Sequence, residues 1–200
     1  MKKLFIIVIS TVFLLTSCSI FDTIENIGRL TFKLNSIADF RVSDISISSK
    51  SSYSDFSPIE IIKLTSDIAS GKLPIKFILN VDAKNPNDGT GGSPRSNITI
   101  ESFPWKLFID NKQTIAGNIG SPISVPGVGE STVIPLTLEL DLFKFFSNNS
   151  LESLLNIALK LGGSQGKPTD LQLIADPVLG TPIGDLKYPN EITIVDFEWR

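Results

Sequence analysis

The sequence predicts a mainly β protein, an antiparallel β-sandwich with one inserted amphipathic helix. Two stretches, Leu73 to Ala83 and Ile134 to Leu142, alternate apolar and polar residues with period two, the pattern of strands that bury one face in a sheet. Clusters of turn residues separate the strand-like runs at short intervals. Helical spacing of apolar residues is clear only in Leu151 to Leu159.

The chain opens with Lys2 and Lys3, an apolar run from Leu4 to Leu15 broken only by Ser10 and Thr11, and then Leu15-Thr16-Ser17-Cys18. The run is too short to span a bilayer, and its flanks are those of a secretory signal. The small residues before the only cysteine resemble the lipobox of bacterial lipoproteins. That resemblance implies cleavage before Cys18, acylation of its thiol with diacylglycerol, and a second acylation on the new amino group. Two or more chains hold a protein firmly on a membrane. The expected division is a signal peptide at 1–17, a lipidated tether at 18–36 and a domain at 37–200. Ser19 rather than Asp follows the cysteine, which by analogy with enterobacterial sorting implies the outer membrane, facing the periplasm.

Composition excludes several classes. The chain carries 18 Lys and Arg against 21 Asp and Glu, and the leader would take two lysines with it. A mildly acidic protein lacks the basic stripe that nucleic acid demands. No histidine is present, which removes Ser-His-Asp and Cys-His catalysis, histidine metal ligands and an untuned base near neutral pH. A single thiol forms no internal disulfide. Any enzyme here would work through carboxylates, Lys or Tyr. No later apolar run is long enough for a transmembrane helix.

Within the domain the elements follow in order. Ser19 to about Leu34 reads as tether, with Phe21, Ile24, Ile27 and Leu30 at roughly helical spacing. Phe40 to Ile47 is strand-like with a register change near Asp44, and Ser48 to Ser57 is a serine-rich loop. Pro58 to Ser70 fits neither period. The strand through Leu73, Ile75, Phe77, Leu79, Val81 and Ala83 stops at Asn85-Pro86-Asn87-Asp88-Gly89, a dense turn cluster. Further strands are expected at Asn97 to Ser102, Trp105 to Asp110, Thr114 to Ala116 and Ile123 to Val125, with a turn at Asp110-Asn111-Lys112. After the Pro126-Gly127-Val128-Gly129 loop comes the Ile134 to Leu142 strand, whose Pro135 belongs at a sheet edge. Asn149 and Glu152 stand in capping-box spacing before the helix of Leu151, Leu154, Leu155, Ala158 and Leu159, and Gly162-Gly163 ends it. Two closing strands are expected near Thr169 to Ala175 and Ile192 to Trp199.

This ordered series resembles the group-2 late embryogenesis abundant (LEA type 2) proteins and the related WHy domain. In that family an apolar strand runs into Asn-Pro-Asn, here Leu79 to Asn87. An aromatic-x-Leu strand follows (Trp105-Lys106-Leu107), then a turn (Asp110-Asn111), a glycine (Gly117) and an Ile-Pro-type loop (Ile123 to Gly129). The alternating strand, helix and closing strands complete it, over roughly Phe40 to Trp199. The chain departs from the pattern in a longer Asp88 to Ser96 loop, in Lys112 where glycine is common, and in Trp105 in place of Tyr. The resemblance implies a fibronectin- or Ig-like sandwich, no catalytic site, no cofactor, and an association with desiccation and cold stress.

Other candidate sites read as structure. The Asp88-Gly89-Thr90-Gly91-Gly92-Ser93 loop lacks Gly-Lys-Ser/Thr and precedes a strand, whereas a phosphate loop opens a helix. Asp82, Asp88 and Asp110 flank turns without EF-hand spacing. Phe103, Trp105 and Phe108 read as core aromatics rather than a ligand groove. Asn97-Ile98-Thr99 and Asn148-Asn149-Ser150 match the glycosylation sequon by chance. The expected function is a lipid-anchored, non-catalytic envelope module with a stress-protective or binding role. The alternative is an accessory subunit docking on an envelope protein through a sheet edge, and a third reading is a carboxylate-dependent hydrolase. Replacing Cys18→Ser is expected to abolish palmitate incorporation and release the protein from the membrane fraction, as read by metabolic labelling and fractionation.

Overall fold

The strand from Pro74 to Lys84 sits at the centre of the molecule because its alternation is unbroken. Leu73, Ile75, Phe77, Leu79, Val81 and Ala83 are all fully buried, as the period-two pattern predicts. The computed structural model describes residues 28–90, 95–162, 171–181 and 184–194. In chain order they form β1 (Thr31–Val42), β2 (Ile45–Ser46), α1 (Pro58–Ala69), β3 (Pro74–Lys84), β4 (Ile98–Ser102), β5 (Trp105–Ile109), β6 (Lys112–Gly117), β7 (Ile123–Val125) and β8 (Ser131–Asp141). Then come α2 (Leu142–Phe146), α3 (Leu151–Leu161), β9 (Leu171–Ala175), β10 (Val178–Thr181), β11 (Gly184–Lys187) and β12 (Ile192–Ile194).

One sheet has the order β2-β1-β3-β8, antiparallel throughout. Two further ladders run β12-β9-β5-β6 and β11-β10-β4-β7. These two are halves of one bent sheet. β4 passes into β5 across Phe103-Pro104, and its neighbour β9 passes into β10 across Asp176-Pro177. Ser102 pairs with Val178 below the bend and Trp105 with Ala175 above it. Between them the Asp176 N–H donates to the Pro104 carbonyl at 2.9 Å. Proline cannot donate to a ladder, so both strands kink where the prolines stand. The molecule is therefore a mainly β sandwich, the β2-β1-β3-β8 sheet facing a bent one. At the bend, fully buried Phe103 meets Phe32 of β1 with ring centroids 5.7 Å apart.

Several boundaries differ from the sequence reading. Residues 31–36, assigned to the tether, are the first half of β1, with Phe32 opposite Ala83 and Leu34 opposite Val81. Two alternating apolar residues are too few to outweigh the helical spacing before them, and the partner strand supplies what the local pattern lacks. The register change near Asp44 is a two-residue hairpin turn. Ser43 and Asp44 have φ of 47° and 67°, and Val42 pairs with Ile45. Asp110 and Asn111, at φ of 51° and 58°, make the same kind of turn between β5 and β6, as expected.

The stretch Pro58 to Ser70, unassigned by period, holds α1, with Ser70 as its C-cap. Ser57 caps it, accepting from the Glu60 N–H at 3.3 Å, while the Glu60 carboxylate accepts from the Ser57 N–H at 2.7 Å. The Lys50 ammonium first, and the Ser57 N–H second, hold the Glu60 carboxyl below its usual range. Ser57-Pro58-x-Glu60 is a legible capping box with proline at the first turn, and it is the signal the period count passes over. α2 is also unforeseen. Asp141 ends β8 and caps α2 by accepting from the Phe143 N–H, so Leu142 opens a helix rather than closing a strand. For α3 the cap is Ser150, not Asn149, and its hydroxyl accepts from Ser153 N–H at 3.2 Å. Leu154, Leu155, Ala158 and Leu159 are buried, as the helical spacing requires.

β8 lies at a sheet edge, which accommodates Pro135. The β10–β11 hairpin has no clear alternation and is visible only in the structure. Gly163, Thr169, Asp170 and residues 195–199 lie outside the described residues. Phe77 is fully buried and stacked on Phe40 at 4.8 Å. Phe77→Ala is expected to cost about 3–5 kcal/mol, read by equilibrium denaturation.

Candidate functional site

The turn cluster after β3 is buried, not exposed. Asn85 is 0 % and Asn87 1 % accessible. The Asn85 Nδ2 donates to the carbonyls of Ser96 at 2.8 Å and Val125 at 3.0 Å. Its Oδ1 accepts from the Asn87 N–H at 3.1 Å and from Asn87 Nδ2 at 2.9 Å. One amide thus spends both donors and both acceptor positions. The Asn87 carbonyl accepts from the Ser96 N–H, and Asn97 Oδ1 accepts from the Gly127 N–H at 3.0 Å. A Cβ on Gly127 would stand 2.3 Å from the Asn87 carbonyl oxygen and 2.5 Å from that of Ser96, so only glycine lets the strands approach. The knot joins the end of β3 to the start of β4 and the end of β7. It is a lock, with no polar group of Asn85 left to offer a ligand.

The three turn aspartates lie apart. Asp82 is buried, bonded to Asn35 Nδ2 at 2.7 Å, with Lys33 Nζ at 3.8 Å. Asp88 accepts from the Thr90 hydroxyl and N–H, which in that order hold its carboxyl below the usual range. Asp110 belongs to the β5–β6 turn. Among the described residues no three His, Cys, Asp or Glu come together to hold a metal. Gly91, Gly92 and Ser93 of the glycine-rich loop lie outside the described residues, and so does Cys18 with its whole leader. No helix among the described residues is long and apolar enough to cross a membrane.

Two of the three candidate aromatics belong to the core, and Phe108, on the other face of β5, does not. Phe103 is fully buried, and Trp105 is 7 % exposed. The Trp105 indole lies against Gly117, where a Cβ would meet its Cζ2 at 2.5 Å. Phe108 is half-buried. Beside Trp105 is an open cavity of about 220 Å³, lined in part by Ile174, Lys106, Asp176 and Glu191. Ligand pockets run to about 300–1,000 Å³. Both carboxylates on its rim are engaged, Asp176 with Lys187 at 2.9 Å and Glu191 with Lys106 at 3.5 Å.

No family model matches the chain, and no curated protein matches it. Among solved structures it is similar to a candidate late embryogenesis abundant (LEA) protein, at 17% identity and TM-score 0.38, covering 96% of this chain and 87% of that one. It is also similar to a protein from Archaeoglobus fulgidus, at 11% identity and TM-score 0.33, covering 61% of this chain and 85% of that one. A protein from Arabidopsis thaliana matches at 15% identity and TM-score 0.32, covering 60% of this chain and 67% of that one. These superpositions are low, and no functional assignment follows from them.

Asn85→Ala is expected to cost about 1–3 kcal/mol, because the groups it bonds stay buried without partners. Asn85→Asp should cost more, since a carboxylate oxygen would face the Ser96 and Val125 carbonyls. Urea denaturation of the two variants checks the order.

Proposed function

We propose that this chain is a lipid-anchored, non-catalytic module of the bacterial envelope, of the LEA type 2 and WHy kind, with a stress-protective or binding role. The observation that carries the reading is the leader ending at Cys18 joined to the ordered strand, Asn-Pro-Asn and helix series of the domain. The anchor holds the domain at the outer membrane, facing the periplasm. The chemistry of the domain agrees with a non-catalytic role. There is no histidine, the Asn85 side chain is spent within the knot, and the cavity carboxylates are paired with lysines.

The accessory-subunit reading is favoured by one feature, the exposed Ile59 and Ile62 of α1. The edges of the β2-β1-β3-β8 sheet do not favour it. Pro135 interrupts the β8 edge, and the other edge strand, β2, is only two residues long. Proline and very short edge strands keep other strands from adding to a sheet. The purified domain is expected to preserve a desiccation-sensitive enzyme through drying better than an inert protein of equal mass. Equal recovery with both would remove the protective role.

A further inference from the structure

Arg29 is the only lysine or arginine between Lys3 and Lys33. A protease that cuts after basic residues therefore has one place to act between Cys18 and the first strand. The ladder of β1 begins at Thr31, opposite Lys84, so a cut after Arg29 leaves every strand whole, whereas a cut after Lys33 would divide β1. The same short segment is gripped by a side chain from the other end of the domain, 158 positions along the chain. The Tyr188 hydroxyl donates to the Leu30 carbonyl at 2.7 Å and stands 3.5 Å from the Gly28 carbonyl. These two carbonyls lie on either side of Arg29. Tyr188 is itself held in place. It follows β11, and its N–H donates to the Pro177 carbonyl at the bend, 2.8 Å away. Its ring stands edge-on to Phe32, centroids 6.0 Å apart. Burial pushes the hydroxyl above its ordinary pKa, so it stays a donor through neutral and mildly alkaline pH.

We propose that the Arg29–Leu30 bond is a gated cleavage site for a protease specific for basic residues, with the Tyr188 hydroxyl as its gate. Such an enzyme needs several residues lifted out and extended across its cleft. Closed against Tyr188, the segment cannot supply them, because Leu30 is fully buried and its carbonyl, like any buried backbone acceptor, needs the partner it has. Opening the gate lifts Gly28 to Leu30 and frays the start of β1, while the rest of β1 stays paired with β3. Cleavage then requires a local opening and not unfolding of the domain. Where opening and closing are fast, the rate of cutting follows the population of the open form. The product is an intact sandwich severed from everything before Leu30. That the cut frees the module from a membrane rests on the proposed anchor at Cys18.

The test is limited trypsin digestion of the full-length protein, read by mass spectrometry. It compares the cut after Arg29 with the cut after Lys76, which lies within β3 and needs global unfolding. Tyr188→Phe keeps the ring and removes the hydroxyl, and is expected to speed the cut after Arg29 about tenfold, the effect of losing one buried hydrogen bond. Ile47→Val trims a buried side chain beyond the other end of β1. It is expected to speed the cut after Lys76 severalfold and to leave the cut after Arg29 within about twofold, because a local opening keeps Ile47 packed. In the unsubstituted protein the cut after Arg29 should rise with urea far less steeply than the cut after Lys76, since less surface is exposed. The last two measurements decide even where Tyr188→Phe fails to fold. An unchanged cut after Arg29 in folded Tyr188→Phe, equal acceleration of both cuts by Ile47→Val, or equal urea slopes overturns the proposal. So does a cut after Arg29 as fast in the folded protein as in the denatured chain. Palmitate labelling in native cells reads the anchor separately. Gated cutting without label keeps the site and removes the anchor, and label with ungated cutting removes the gate alone.

Discussion

Everything in this molecule is arranged around the burial of one face of β3. Six apolar side chains from Leu73 to Ala83 lie on that face, and each is fully buried. Both neighbours must follow its register for most of its length, and they do. Burying a single large aliphatic or aromatic side chain contributes about 1.5–3 kcal/mol, so this strand is the largest contiguous source of stability. The opposing sheet bends at Pro104 and Pro177, because each proline lacks the N–H that a ladder needs there and lets the two halves incline separately over the core.

The asparagine knot closes the end of that strand. A buried amide is tolerable only when its hydrogen-bonding capacity is used, and Asn85 meets this by holding two carbonyls from distant segments. The motif on which the family resemblance turns is thus a device of folding. This is why such a resemblance speaks for a module and says little about a task. The same economy holds at several other polar side chains. The turn aspartate Asp88 is spent on Thr90, and the rim carboxylates on lysines. The outward arc of α1 stands apart from this pattern, since its apolar side chains satisfy nothing in the fold.

The errors of the sequence reading have physical causes that differ. The helix at Pro58 was legible in its capping box but hidden to a count of periods, because Ile59 and Ile62 face outward and blur the stripe. The start of β1 was not legible, since Phe32 and Leu34 gain their meaning only from Ala83 and Val81. The β10–β11 hairpin is held by its ladder to β4 rather than by its own residues. Of the candidate aromatics, Phe103 and Trp105 belong to the core as read, whereas Phe108 lies on the opposite face of β5. The depth of the Asn-Pro-Asn turn was not legible.

Sequence alone determined the exclusion of histidine chemistry, the two alternating strands, the α3 stripe and the sandwich class. Each of these depends on residues adjacent in the chain, where periodicity and composition act locally. Tertiary structure decided the bend of the second sheet, the burial of Asn85 and which face of α1 meets water. Each of those is set by partners far along the chain. The two carbonyls that hold Asn85 lie 11 and 40 residues away, and no local pattern encodes a hydrogen bond whose acceptor arrives from another strand.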